Sequence, residues 1–430
     1  MSKKECIYFD NNSTTPVCDV AKKECITWLD CYNPSNDSKY TKSVKKILED
    51  ASDMILGHCG VNSASHTVVF TSGATESNCF ALRTCVKSYK RKLQQVGSIL
   101  KPHIIFGATE HHSIISCVQD LFNAGEIEYT QIKPTIYGNI FEADVEIAIK
   151  EETCLISVMY ANNEIPVITD VKKIGLIAEK HGKPFHTDAT QVFGKFQFNL
   201  NDKHIHMLSA SAHKFYGPKG VGILIINNHL IDPEGYGITA EINGSQQNKL
   251  RGGTENIAYI CAMVSALQHT FKNRKKKNVE LYTLRKKCIE ELTNNYEIGD
   301  FAVYTENDTK KEKKDLEIIF LGPPEDKKEF ILPNTILLSI CKNKGKPFCN
   351  VALKHYLDEK GIMVSIGSAC LTGNDKASHV LTAIGAPNVV KVGVVRISFG
   401  DKNTVKEIHD FIKVFTDGVK KQCADIIKKN

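Results

Sequence analysis

No apolar run in the sequence approaches the roughly 18 residues that a membrane-spanning helix needs, so no transmembrane segment is expected. The first residues, Met1-Ser-Lys-Lys-Glu-Cys-Ile-Tyr-Phe-Asp10, form neither an apolar signal core nor an Arg/Ser-rich amphipathic presequence, which makes a cytoplasmic location the default. None of the fifteen cysteines stands in a Cys-x-x-Cys pair, and their spacing is irregular. This argues against a zinc site built on local pairs and, in a chain of 430 residues, against a disulfide scaffold. Cys79, Cys117 and Cys154, inside apolar segments, read as small buried residues, while the odd count leaves room for one reactive thiol. The net charge of +6 comes largely from lysine runs at 272–277 and 310–314. With no aromatic residues between the lysines, these runs read as solvated faces, and neither nucleic-acid nor membrane binding is expected. No internal repeat is visible.

What is present is an ordinary globular composition, 42% hydrophobic and 24% charged, long enough for two domains. Apolar strands are expected at 67–70, 103–107, 154–160, 184–186, 206–209 and 221–226, separated by a helix that the loop 71–78 opens and that continues through Leu82 and Val86, and by helical periodicity at 114–123 and 171–181. That alternation predicts an α/β fold whose large domain has a mainly parallel sheet flanked by helices. After Thr254-Glu-Asn256 the texture changes to a long helix over 257–294. A strand over 335–340, a helix over 351–360, strands near 363 and 392–399, and a final amphipathic helix follow. The expected division is 17–264 for the large domain, with 1–16 and 265–430 forming a smaller α+β domain. The polar stretch within 305–330 reads as a surface insertion with no core of its own.

The chemistry centres on His206-Met-Leu-Ser-Ala-Ser-Ala-His-Lys-Phe-Tyr-Gly-Pro-Lys-Gly-Val-Gly-Ile-Leu-Ile-Ile226, in which Lys214 occupies a tight turn between two apolar strands. Beside His213 and among apolar walls, its amine is easier to deprotonate, as Schiff-base chemistry with a carbonyl requires; alternatively it is a surface lysine. Thr71-Ser-Gly-Ala-Thr-Glu-Ser-Asn78 opens a helix directly after a strand, where backbone N–H groups and the helix dipole suit a phosphate, or where a hydroxyl simply caps the helix. The stretch lacks the glycine and lysine pattern of a nucleotide P-loop, so a cofactor's phosphate is the better match. Asp188 ends a short strand at the sheet edge where ligands bind in such folds, or caps a helix. His111 lies over a ring or caps the helix that follows it. The amides of Ala161-Asn-Asn-Glu-Ile-Pro166 are placed to bind a carboxylate. Arg396 is the one charge inside an apolar strand, facing either a ligand or solvent.

The order of these signals resembles the cysteine desulfurases, within the class V aminotransferase group of fold-type I pyridoxal-phosphate enzymes. The match runs from Phe9-Asp-Asn-Asn-Ser-Thr-Thr-Pro16 through Arg251-Gly-Gly-Thr-Glu-Asn256 to Val395-Arg-Ile-Ser-Phe-Gly400. The resemblance implies a homodimer that takes L-cysteine to L-alanine and hands the sulfur to an acceptor protein, either an iron–sulfur scaffold or a thiolation carrier. It implies that Lys214 carries pyridoxal 5′-phosphate and moves protons, that Asp188 pairs with the ring nitrogen, and that Gln191 pairs with the phenolic oxygen. His111 would stack on the ring. Ala74, Thr75, Ser211 and His213 would hold the phosphate, helped by Thr254 from the second subunit, and Asn163 and Arg396 would bind the substrate carboxylate. Cys370, followed by Gly, Asn, Asp and Lys within 365–379, would be the nucleophile that accepts sulfur. Two departures stand out: Asn243-Gly-Ser-Gln-Gln-Asn-Lys-Leu250 replaces a glycine-rich stretch, and Pro166 stands where glycine is usual. Rival readings are a selenocysteine lyase, a cysteine-sulfinate desulfinase, or a catalytically weak scaffold subunit.

Overall fold

Two alternating apolar patterns set the architecture. In strand Gly222–Asn227, Ile223 and Ile225 enter one core while Leu224 and Ile226 enter another, as the two-residue repeat of a strand buried on both faces requires. The computed structural model describes residues 6–305, 314–344, 347–367 and 378–427. Its larger sheet has seven strands in the order His66–Thr71, Gly222–Asn227, Met207–Ser211, Phe185–Asp188, Thr153–Ser157, His103–Gly107 and Glu128–Ile132. Only Gly222–Asn227 runs against its neighbours; the other pairings are parallel. Helices Ala74–Gln95 and His112–Asn123 cover one face, and Lys42–His58, Val171–Lys180 and the start of Ile257–Asn295 cover the other.

A second sheet of four strands, in the order Val394–Ser398, Thr335–Lys342, Leu316–Leu321 and Ile298–Gly299, forms its own core with Asn350–Glu359 and Val405–Ile427. The chain's beginning joins this part: Ile7–Tyr8 pairs in parallel with Ile362–Met363, and Phe9 is fully buried against Phe399 and Phe411. The helix Ile257–Asn295 passes straight through the expected boundary at 264. Its side chains up to Leu267 belong to the first core, and those from Leu281 onward to the second.

The expectation of a surface insertion over 305–330 is corrected. Leu316–Leu321 is an inner strand of the smaller sheet, with Ile318 and Ile319 fully buried. Its polar flanks had concealed six residues of core strand. No helix among the described residues is long and apolar enough to cross a membrane.

Register gathers the functional segments at one sheet edge. Asp188 lies opposite Ser209, Ser211 opposite Gly222, and Gly222 opposite Thr71, so the ends of three strands and the loop after Thr71 meet there.

Candidate active site

Strand Met207–Ser211 ends in a single 3-10 turn, Ala212–Lys214, and the backbone then doubles back into Gly222–Asn227. The reversal needs a positive φ at Tyr216 (68°), a conformation unfavourable for a bulky residue. Tyr216 is held there by its amide, which donates to Thr15 Oγ1 (2.8 Å), and by its hydroxyl, which accepts from the Asp401 amide (2.8 Å). Lys214 therefore projects into a cavity of about 580 Å³, where its Nζ donates to the carbonyls of Asn12 (2.6 Å) and Ser13 (2.8 Å). Burial, and then the Arg396 guanidinium, pull the amine down to about 8. The surface-lysine alternative is thereby excluded.

Asp188 is 4% exposed. One oxygen accepts from the Thr190 amide (2.9 Å), but turns rather than a helix follow, so it is not a helix cap; the other accepts from Asn78 Nδ2 (2.8 Å). Asn78 also reaches Ser113 Oγ (2.9 Å), and Ser113 meets His111 Nδ1 through both its amide (3.1 Å) and its hydroxyl (2.9 Å). His111 thus caps helix His112–Asn123 and lines the cavity at the same time. Burial pushes its imidazole toward the neutral form.

Helix Ala74–Gln95 points its N-terminus into the same cavity. Gly73 at the cap position supplies no side-chain bond, and Glu76 reaches back to the Ser72 amide (2.7 Å). The free N–H groups of the first turn therefore stand beside Ser211 and His213, an anion cradle. His213 is driven to about 4 by burial and then by Lys214, and Nδ1 meets Thr14 Oγ1 (3.1 Å). A side chain at Gly222 would place its Cβ 2.6 Å from Gly73 Cα and 2.7 Å from the Ala210 carbonyl oxygen. Gly222→Ala is accordingly expected to lower stability by about 1–3 kcal/mol and to weaken phosphate binding, as measured by denaturant unfolding with and without inorganic phosphate.

Arg396 is 6% exposed and faces inward, not to solvent. It donates to Asp10 Oδ1 (2.6 Å), Ser13 Oγ (2.7 Å) and the Asn163 carbonyl (2.7 Å). Asn163 lines the cavity, whereas Asn162 is structural: its Oδ1 accepts from the amides of Glu164 (2.8 Å) and Ile165 (3.0 Å). Gln191 donates to the Asn12 carbonyl (3.1 Å).

Three buried polar atoms on this wall have no partner: Gln191 Oε1, Thr190 Oγ1 and Arg396 Nε. Leaving such atoms unpaired costs about 1–3 kcal/mol each, so the cavity suits a ligand with complementary polar groups. Ala74, Thr75, His111, Asn163, Asp188, Gln191, Ser211, His213, Lys214 and Arg396 all line it. Thr254 is exposed and lines no part of it in a single chain. Cys370 lies outside the described residues. No residue of 243–250 reaches the cavity; there Gln247 binds the Phe70 amide (2.7 Å) and carbonyl (3.0 Å) at the sheet edge. Sequence reasoning gave no role to Asp10, Asn12, Ser13 or Asn78. All four fall inside motifs already singled out, which is the only signal that pointed to them.

Residues 7–315 match the family model Aminotransferase class-V. The cysteine desulfurase IscS of Clostridium botulinum is 31% identical over 419 residues, covering 97% of this chain and 95% of its own. The chain belongs to the cysteine desulfurase family. Its relatives include the cysteine desulfurase IscS of Methanosarcina thermophila, 31% identical over 98% of this chain and 93% of its own. Among solved structures, a NifS-like protein superposes with a TM-score of 0.79 at 28% identity, covering 96% of this chain and 98% of that one. SspA in complex with cysteine superposes with a TM-score of 0.71 at 27% identity, covering 91% and 98%. The large, mainly parallel sheet with flanking helices agrees with this family's fold.

Proposed function

We propose that the cavity binds pyridoxal 5′-phosphate and L-cysteine and converts the amino acid to L-alanine, leaving its sulfur as a persulfide on Cys370. The observation that carries this reading is the convergence on one cavity of a depressed lysine amine, a fixed carboxylate and an uncapped helix N-terminus. Such a cofactor needs an amine for its aldehyde, a carboxylate for its ring nitrogen and a cradle for its phosphate. Ala74, Thr75, Ser211 and His213 would hold the phosphate, Asp188 the ring nitrogen, Gln191 the phenolic oxygen and His111 the ring face.

Bound there, the cofactor supplies an electron-withdrawing ring that stabilises negative charge at the substrate Cα. Lys214 would remove the substrate Cα proton and return one. Arg396 and Asn163 hold the substrate carboxylate, for which Arg396 exchanges part of its contact with Asp10. Cys370, as thiolate, forms a bond to the substrate sulfur as the Cβ–S bond breaks, and Cβ is protonated to the methyl of alanine. The sulfur then passes to an acceptor protein, an iron–sulfur scaffold or a thiolation carrier. The working unit is a cytoplasmic homodimer, in which the exposed Thr254 reaches toward the neighbouring subunit's phosphate.

Alanine release from L-cysteine, L-selenocysteine and L-cysteine sulfinate tests the assignment. Preference for cysteine, with persulfide on the protein, supports it; preference for either other substrate overturns it.

Asp188→Asn is expected to keep the cofactor but lose turnover by about 10²-fold or more, since the phosphate cradle supplies binding while the carboxylate acts on the ring. Near-normal turnover with the variant would reduce Asp188 to a turn residue.

A pH dependence follows from Lys214. Its ammonium form is disfavoured, so the neutral amine that attacks an aldehyde predominates above about 8, not above the ordinary 10.5. Cofactor capture by the apoprotein, followed by absorbance, should accelerate as pH rises and level off past that point. Arg396→Leu removes a cation and should move the midpoint upward.

A further inference from the structure

Where the larger sheet ends at the cavity, a side chain completes one of its rungs. The amides of Val158 and Tyr160 continue the parallel pairing of Thr153–Ser157 with Phe185–Asp188, donating to the carbonyls of His186 (3.1 Å) and Asp188 (3.0 Å). The Met159 amide between them faces the opposite neighbour, strand His103–Gly107. That strand has already turned away, its Gly107 carbonyl accepting from the Glu110 amide (3.3 Å). The Glu110 carboxyl stands in for the next strand carbonyl, Oε1 accepting from the Met159 amide (2.7 Å). Gly107 leaves room for it, since a Cβ there would lie 3.0 Å from Oε1. Two further segments are tied to the same loop. The backbone carbonyl of Glu110 accepts from His379 Nε2 (2.8 Å), and that of Thr109 accepts from Asn162 Nδ2 (2.9 Å). His111 follows directly, and His111, Met159 and Asp188 all line the cavity.

Glu110 is not built as a charged group. It is 0% exposed, its Oε2 has no partner, and among the described residues no basic side chain is hydrogen-bonded to its carboxyl. The titratable groups around it are Asp188, His111 and His379, and none of them bonds that carboxyl. A buried carboxylate with a single amide for a partner is costly, far more so than the uncharged acid. Burial accordingly holds the carboxyl well above the ordinary range, with the Met159 amide opposing and the charge of Asp188 adding to the effect. Asp188, by contrast, has a donor on each oxygen.

We propose that Glu110 is a positioning residue for the reaction: as an uncharged acid it completes the sheet beside the cavity and so fixes His111 and Met159 around the ring site. Its neutrality leaves Asp188 to supply the negative charge that faces the ring nitrogen. The positioning role rests on the proposed function; the uncharged, rung-forming acid does not.

Glu110→Gln and Glu110→Ala separate the two parts. Glutamine keeps a carbonyl oxygen for the Met159 amide and carries no charge, whereas alanine removes the rung. In the full-length apoprotein at neutral pH, difference infrared spectroscopy should show the carbonyl stretch of a protonated carboxyl that is absent from Glu110→Gln. Denaturant unfolding gives a second readout. A carboxyl protonated in the fold but ionised in the unfolded chain costs stability as pH rises past the ordinary value of 4.5. Glu110→Gln should therefore gain on the wild type as pH rises from about 4 to about 7. No such stretch, or a stability difference that stays flat with pH, overturns the uncharged acid. With pyridoxal phosphate bound, Glu110→Gln is expected to keep most of the wild-type kcat. Glu110→Ala should lose about 10-fold or more in kcat, with little change in KM and a shifted cofactor band. If the alanine variant does not fold, Glu110→Asp, whose shorter side chain draws the oxygen away from Met159, replaces it with the same expectation. Glutamine as slow as alanine, or alanine as fast as the wild type, overturns the positioning role. A wild type without turnover removes that role together with the proposed function, and the infrared and unfolding results still decide the acid.

Discussion

Lys214→Ala protein is expected to lose turnover by at least about 10³-fold, because one amine serves both as cofactor anchor and as the base that moves the Cα proton. Two features of the site prevent rescue. The strained reversal at Tyr216 delivers a single side chain to the carbonyls of Asn12 and Ser13; alanine leaves the Ser13 oxygen without that donor and the Asn12 oxygen with Gln191 alone. Lys219 also lines the cavity, but it is exposed rather than buried among the groups that hold Lys214. The variant should still bind pyridoxal phosphate weakly, since the helix N-terminus, Ser211 and His213 are unchanged. Borohydride reduction followed by peptide mapping checks the assignment in the native protein. The label is expected on Lys214; finding it on Lys219 would overturn the site as described.

Much of this was legible in the sequence, and the failures share a cause. Uninterrupted apolar runs, as at Val221 to Ile226, identify buried strands, and the tight turn before them located Lys214. The strand Glu128–Ile132 was missed because it lies at the sheet edge with a largely polar, part-exposed pattern. Leu316–Leu321 was absorbed into the polar stretches on either side. Helical periodicity reveals a buried stripe but not which core the stripe faces, so the change of core between Leu267 and Leu281 left no mark.

At the site, local motifs supplied the residue types and long-range pairing supplied their settings. Asp10 and Arg396 form an ion pair across 386 positions, and Asn78 reaches Asp188 across 110; neither leaves a local pattern. His111 showed that two readings of one residue need not compete, because a single imidazole caps a helix with one nitrogen and lines the cavity with its ring.

Cys370→Ala is expected to separate cofactor chemistry from sulfur removal, with alanine release falling by about 10³-fold while the spectral response to L-cysteine persists. The groups that would hold the cofactor lie on other segments of the chain, so the variant should bind it normally. Adding L-cysteine should still change the absorption, since Lys214, Asp188 and Arg396 are intact. Breaking the C–S bond requires a soft nucleophile at the substrate sulfur, and a methyl group offers none. The described segments that flank Cys370 in the sequence support it over the other thiols. Ser365 pairs through its backbone with Arg396, and five residues of chain can extend at most about 18 Å from that point. On the far side, Ser378 Oγ donates to Glu164 (2.6 Å), and His379 Nε2 is hydrogen-bonded to the carbonyl of Glu110 (2.8 Å), next to His111. The described residues on both sides of Cys370 are thus tied to the cavity wall, whereas Cys59, Cys85, Cys154 and Cys288 are locked in apolar cores with their thiols held protonated. Alkylation after cysteine treatment should add one sulfur atom to the peptide containing residue 370 in the wild type and none in the variant. Alanine release near the wild-type rate from Cys370→Ala under reducing conditions would refute the persulfide step and move the chemistry toward expulsion of sulfur without a protein thiol.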